Sequence, residues 1–471
     1  MTDATPLLEP ITLPSSDEGW LAFVTERADE HLDRAEAIIA ELKSDPSTDA
    51  LVLLRRFDEA EFALAGALHA AELISESHPL EAVREAAEAR IERGSAIITG
   101  ISIDRELWRV FDAADAAGLD EQASRRYDDL MRDFRRGGVA LDDAQRERVR
   151  VLHERDTELG LAFSRNIRDG RREIRVARHR LAGLPQDFID AHPADAEGLV
   201  TLTTEYPDLM PVRDYAQDRA LREELTAAYN DLAWPENDAV LAELLEVRQE
   251  LSTLLGFTDW ADYETETRMI GRGAAIPEFL ARVADAARDA GAAEYQQLLE
   301  RLRRDHPEAD SVTTADFPYL LGTLKREEYA VDSQQVRSYF PFERVLEGVL
   351  QVTGRLLELE YRPVEVPSWH ADVRAYDVHR AGRDGTGSGE RIGRFYLDLH
   401  PREGKYNHAA CFGLAPGVAG RALPEGALLC NFARGLMEHD EVETFFHEFG
   451  HLVHGILGGH QGWVRFSGIE T

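Results

Sequence analysis

The segment Glu441-Val442-Glu443-Thr444-Phe445-Phe446-His447-Glu448-Phe449-Gly450-His451-Leu452-Val453-His454 carries the residue types best suited to chemistry. Two histidines stand four residues apart in an apolar run of helical spacing. Positions i and i+4 share one face of a helix, so His447 and His451 can reach one metal ion. Glu448 lies about 100° around the helix from His447, beside such an ion, and is better placed as a general base than as a ligand. The H-E-x-x-H pattern is short, but its flanks agree with it: apolar residues on both sides and acidic residues at the helix start. The segment reads as a zinc hydrolase helix with His447 and His451 as metal ligands and Glu448 as catalytic base.

Hydrolytic zinc sites usually combine three protein ligands with one open position. A third histidine ten residues after the first is excluded, because that position is Leu457. His454 shares the helix face, but three ligands from one straight helix would span roughly 10 Å of rise, too far for one ion. Packing, or a contact to one of the ligands, suits His454 better. Glu470 stands at a workable spacing, although the chain end is a poor place to hold a ligand.

The elements that must position this helix follow from the rest of the chain. From about residue 17 to 180, apolar positions recur at helical spacing, as in Trp20-Leu21-Phe23-Val24 and Leu51-Leu53-Leu54-Phe57, with breaks at Asp45-Pro46, His78-Pro79 and Gly137-Gly138. Leu199-Val200-Thr201-Leu202-Thr203 is a strand candidate, and a boundary near 205 divides an N-terminal helical lobe, 1–205, from a catalytic region, 206–471. Further helices are expected over 212–256, ending at Gly256, and over 276–304, 316–328 and 341–360. Val373–Val378 and Arg394–Leu399 alternate like strands, joined by a hairpin loop over Ala381–Gly389, and Leu428–Phe432 is a third strand. The expected fold is mostly α, two-lobed, with a small β-sheet preceding the metal helix.

Composition narrows the partners. The 471 residues carry 88 acidic against 53 basic side chains, a net charge of −35, which argues against nucleic acid and anionic membranes. Two cysteines, Cys411 and Cys430, make no disulfide framework. No secretory signal is evident at the N-terminus and no run approaches a membrane span. A cytoplasmic monomer is expected.

Several longer stretches resemble the M3 peptidases. The main one runs from Gly393-Arg394-Phe395-Tyr396-Leu397-Asp398-Leu399-His400-Pro401-Arg402 through Glu403-Gly404-Lys405-Tyr406-Asn407-His408-Ala409-Ala410-Cys411-Phe412-Gly413. Others are Leu255-Gly256-Phe257, Glu328–Asp332, Tyr339-Phe340-Pro341, Trp369–Arg374 and His439–Phe446 leading into the metal helix. The resemblance is dense from about 206 onward. It implies one Zn(2+) ion, a helical body with a deep channel, and hydrolysis of short peptides inside the chain, with dipeptidyl carboxypeptidase action as the alternative. It also implies a glutamate ligand in a segment beginning like Phe466-Ser467-Gly468. Laid on this chain, that glutamate falls beyond Thr471, so the sequence reads as part of a longer enzyme, and these residues alone are expected to be inactive or nearly so. A helical protein without activity is the reading from a different class. The segment Ala409-Ala410-Cys411-Phe412-Gly413 is either a substrate-binding strand that pairs with an extended peptide or a core strand. His408 and Cys411 are weak alternative ligands, and Cys411 suits a small apolar role.

Overall fold

The computed structural model describes residues 9–381 and 388–467. Helices dominate it, as expected. In the N-terminal part they include Ala28–Ser44, Ala50–Ser77, Glu81–Ser102 and Asp143–Asp169. Their ends are chemically marked. Asp49 accepts from the Leu51 and Val52 amides at the start of Ala50–Ser77, and His78-Pro79 ends it, because proline cannot continue the ladder. Leu32, Leu53, Phe57, Phe111 and Phe134 join one buried cluster among these helices.

β1 (Glu173–Ala177) and β2 (Leu199–Thr203) form an antiparallel pair, of which the sequence shows only β2 clearly. The helical stretch expected over 212–256 begins earlier and is three helices, Tyr206–Tyr215, Arg219–Asn230 and Glu236–Leu254. Gly256 follows the last one with φ of 89°, a left-handed position that glycine takes without strain. Ala275–Asp305, Phe317–Tyr329 and Phe342–Leu357 match the remaining helices to within a few residues. The last is shorter than 341–360. Glu358 turns left-handed and Leu359 starts a strand, so the chain leaves the helix three residues early.

A five-stranded sheet carries the site. Its strands are β3 (Leu359–Val364), β4 (Arg374–Ala381), β5 (Ser388–Asp398), β6 (Ala410–Ala415) and β7 (Glu425–Leu429), in the order β3-β4-β5-β7-β6. β5 and β7 are parallel and the other pairs antiparallel. The hairpin loop expected over Ala381–Gly389 lies largely outside the described residues, but Ala381 and Ser388 still pair as strand. The strand expected over Leu428–Phe432 begins instead at Glu425 and ends at Leu429. After it, Cys430 and Phe432 amides reach the Asp398 and Leu399 carbonyls outside the regular ladder.

Alternate residues face opposite sides of a strand, and here each side has its own core. Phe395, Leu397 and Leu428 pack with Phe445, Phe449 and Leu452 of helix His439–Gly458, the site helix. Tyr396, Ala427 and Leu429 pack with Trp20, Ala70, Leu73 and Ile74 from the N-terminal helices. The sheet is therefore held between the site helix and helices from the first hundred residues. Among the described residues no helix is long and apolar enough to cross a membrane.

Candidate functional site

The site helix is fixed at its start and along one face. Glu438 and Glu441 form a reciprocal capping box, with the Glu438 amide donating to Glu441 Oε2 at 2.8 Å. Glu438 also accepts from the Tyr215 hydroxyl at 2.5 Å and pairs with Arg337 at 2.9 Å, which ties the helix to neighbouring elements. Phe445, Phe449, Leu452, Val453 and Ile456 recur at helical spacing and are buried against the sheet. Phe449 is fully enclosed, meeting the rings of Phe395 and Tyr361 edge-on at 5.5 and 5.6 Å. Burying such a side chain contributes about 1.5–3 kcal/mol.

With that face held, the opposite face turns outward. The Nε2 atoms of His447 and His451 stand 3.3 Å apart. Two nitrogens each about 2.0–2.1 Å from one tetrahedral ion would be separated by about that much. The two imidazoles therefore fit a shared zinc ion as they stand. Among the described residues no group of three His, Cys, Asp or Glu completes a ligand set. Glu470 lies outside the described residues. His454 is exposed, one turn beyond His451 on the outward face, so of the two roles expected for it packing is the one the structure does not give it.

Glu448 and His451 line a cavity of about 470 Å³ whose other walls include Ala409, Ala410, Cys411, Phe412 and Gly413. The structure thus brings the sequence-predicted base, one predicted ligand and the whole predicted strand segment to one cleft. Among the described residues β6 pairs only with β7, leaving its other edge without a strand partner. Residues 409–413 of this edge segment line the cavity together with Glu448.

The weaker candidates have other tasks. His408 Nδ1 is bonded to the Tyr206 hydroxyl at 2.5 Å. Burial, with the Glu448 charge in addition, pushes the Cys411 thiol up to about 12, so it stays protonated at neutral pH and is a poor metal ligand. Cys411 and Cys430 are both free.

The loop before β6 is anchored by charge. Asp398, fully buried, accepts from Lys405 Nζ at 2.9 Å, from Arg402 at 2.7 Å and from Trp369 Nε1 at 2.8 Å. Lys405 Nζ also reaches the carbonyls of Asp398, His400 and Cys430. Desolvation pulls this ammonium down to about 8 against the opposing pull of Asp398. Burial also penalises the Asp398 carboxylate, but Arg402 and Lys405 outweigh it and hold it below the usual range. Asn431 Nδ2 donates to the Tyr406 and His408 carbonyls at 2.9 and 2.7 Å, which presents the next residues as an edge strand.

Among the cavity residues that the sequence did not single out, one comes from far away in the chain. His69, from helix Ala50–Ser77, lines the cleft facing Gly413. Its only local signal is a polar side chain inside the small-residue run Ala67-Leu68-His69-Ala70-Ala71, and helix periodicity gives that no functional meaning.

The chain has relatives among known proteins. The model of Peptidase family M3 matches residues 212–470. A thimet-like oligopeptidase of Dictyostelium discoideum is 30% identical over 376 residues, covering 75% of this chain and 55% of its own length. Oligopeptidase A of Escherichia coli is 31% identical over 408 residues, covering 80% of this chain and 58% of its own. The chain thus spans somewhat over half the length of these relatives. A solved structure titled "PZ peptidase A with inhibitor 2" overlaps 96% of this chain and 65% of its own with a TM-score of 0.52 at 10% identity, a likeness of fold. On the family match and these relatives, the chain belongs to peptidase family M3.

Proposed function

We propose that the protein is a zinc-dependent oligopeptidase that hydrolyses internal bonds of short peptides, with His447 and His451 as metal ligands and Glu448 as general base. The observation that carries this reading is the 3.3 Å separation of the two Nε2 atoms beside a cleft that Glu448 lines together with an unpaired strand edge. When bound, zinc supplies Lewis acidity toward the scissile carbonyl and acidifies water. Glu448 takes a proton from the attacking water and passes it to the leaving amine, so that water and peptide yield a carboxylate and an amine. The free edge of β6 at Ala409–Gly413 orients an extended peptide through main-chain hydrogen bonds. Residues 1–205 form the lobe that walls one side of the cleft, and residues 206–471 the catalytic region. Short peptides in the cytoplasm, met by a monomer, are the substrates this reading favours.

An internally quenched peptide with an amidated C-terminus tests it. Cleavage by the zinc-loaded enzyme that carries these residues together with a third ligand is expected to stop on chelation, return with zinc, and be absent in Glu448→Gln, which should still bind zinc. Cleavage that survives Glu448→Gln would overturn the assignment of the base. Rejection of the amidated peptide with cleavage of the free acid would instead point to dipeptidyl carboxypeptidase action.

A further inference from the structure

We propose that His69 is a substrate-binding residue: its imidazole hydrogen-bonds the main chain of a peptide lying along the free edge of β6. This rests on the peptidase reading above and extends it to a helix in the N-terminal part of the chain, outside the residues that match the family model.

Three observations converge on His69. It lines the same cavity as Glu448, His451 and Ala409–Gly413, from the wall opposite the site helix. Its Nδ1 is buried against Gly413 with no hydrogen-bond partner among the described residues, which turns that nitrogen away from the cleft and leaves Nε2 as the ring nitrogen free to meet a ligand. Its placement is also enforced by its neighbours. A Cβ built on Gly413 would sit 2.9 Å from His69 Nδ1 and 3.1 Å from Cγ, so the ring occupies the space a side chain at 413 would need.

The helix carrying His69 runs beside the β6 segment. Further along it, the Glu76 carbonyl accepts from the Tyr406 amide at 2.8 Å, so residues 69 to 76 track residues 413 to 406 in the opposite sense. The imidazole is thereby held over the strand and not left to a mobile loop. Burial lowers its pKa, which favours the neutral ring, with one N–H to donate and one lone pair to accept. A neutral donor and acceptor suits a peptide group, which presents one of each, and it suits peptides without regard to side chain.

The test uses the zinc-supplemented Glu448→Gln protein, which should bind peptide without cutting it. Its affinity for a fluorescent octapeptide, acetylated and amidated at its ends, is compared in three further substitutions. His69→Phe keeps the ring and removes the hydrogen bond, and is expected to bind roughly three- to tenfold more weakly. His69→Gln, whose amide reaches the Nε2 position, should recover most of that loss, whereas His69→Asn, whose polar atom lies near the buried Nδ1 position, should not. Replacing peptide bonds by esters one at a time should then reveal one position where the His69→Phe penalty vanishes. A merely space-filling ring would show no such position. Unchanged affinity in His69→Phe, with Glu448→Gln binding well, overturns the inference and leaves the peptidase reading intact. Failure of Glu448→Gln to bind peptide at all overturns both. If His69→Phe does not fold, Asn and Gln decide: equal affinities sink the proposal.

Discussion

At the scale of single residues, the distance between two ring nitrogens and the burial of a few charges govern behaviour. Replacing His447 or His451 by Ala leaves one imidazole of the pair, and zinc content measured by metal analysis is expected to fall to near zero in either variant. A second residue-scale prediction concerns Glu425 on β7, at the floor of the cleft. Burial pushes its carboxyl up to about 7 from the ordinary 4.5, while the Ile11 amide donates to Oε1 at 2.6 Å and Oε2 has no partner. Between roughly pH 4.5 and 7 the folded chain holds a proton that the unfolded chain has released, so this group makes stability fall as pH rises through that window. The cost is complete above about pH 7. Glu425→Gln removes it, and should melt higher than the parent at pH 8, by about 1–3 kcal/mol, with the advantage gone near pH 4.5. An advantage that did not change between the two pH values would show that Glu425 ionises normally.

At the scale of elements, the site depends on how the site helix and the edge strand are held. Phe449→Ala opens a cavity between helix and sheet and is expected to cost about 3–5 kcal/mol in denaturant unfolding. Because Phe449 lies midway between His447 and His451 on the same helix, zinc affinity should drop with it. The loop ahead of β6 depends on charge in the same way. Asp398→Asn leaves the buried Lys405 ammonium and the Arg402 guanidinium without their counter-charge, a change of about 3–5 kcal/mol. Denaturant titration checks the size, and a loss under 1 kcal/mol would mean that the carbonyls around Lys405 suffice. Gly413 matters differently: it has no side chain because His69 occupies that space, so a larger residue there displaces the ring before it disturbs the strand.

At the scale of the whole molecule, the two faces of the sheet are covered by segments far apart in the chain. Trp20, Leu73 and Ile74 share one core with Tyr396, Leu414 and Leu429. Trp463 and Phe466, just after the site helix, pack into the N-terminal helical cluster, where Arg55 lies over the Trp463 ring at 3.7 Å. Residues 206–471 expressed alone would expose that apolar face of the sheet. They are expected to bind a hydrophobic dye and to lack a sharp thermal transition, whereas the full chain should melt in one transition across the sheet. A cooperatively melting 206–471 fragment would show instead that these residues carry their own complete core.

Local periodicity is enough to place the site helix, its two histidines and its glutamate, because 3.6-residue spacing alone decides which side chains share a face. The same holds for β2 and for most helices, whose ends carry caps, glycine or proline. β1 was not legible because Glu173–Ala177, although it alternates polar and apolar residues, is too short a run to stand apart from the charged helix before it, and β3 was hidden because its apolar residues continue the helix before it. The order of the sheet was beyond reach for another reason. β7 inserts beside β5 in parallel and leaves β6 at the edge, a long-range choice determined by which faces the two cores bury, and no spacing within β6 encodes it. His69 reaches the cleft only because helix Ala50–Ser77 packs on that sheet. The sequence by itself determined the chemistry of the helix, since ligand type and spacing are local properties. Only the tertiary structure decided which strand edge stays open and which distant side chain faces it, since both follow from contacts between segments that the chain order keeps apart.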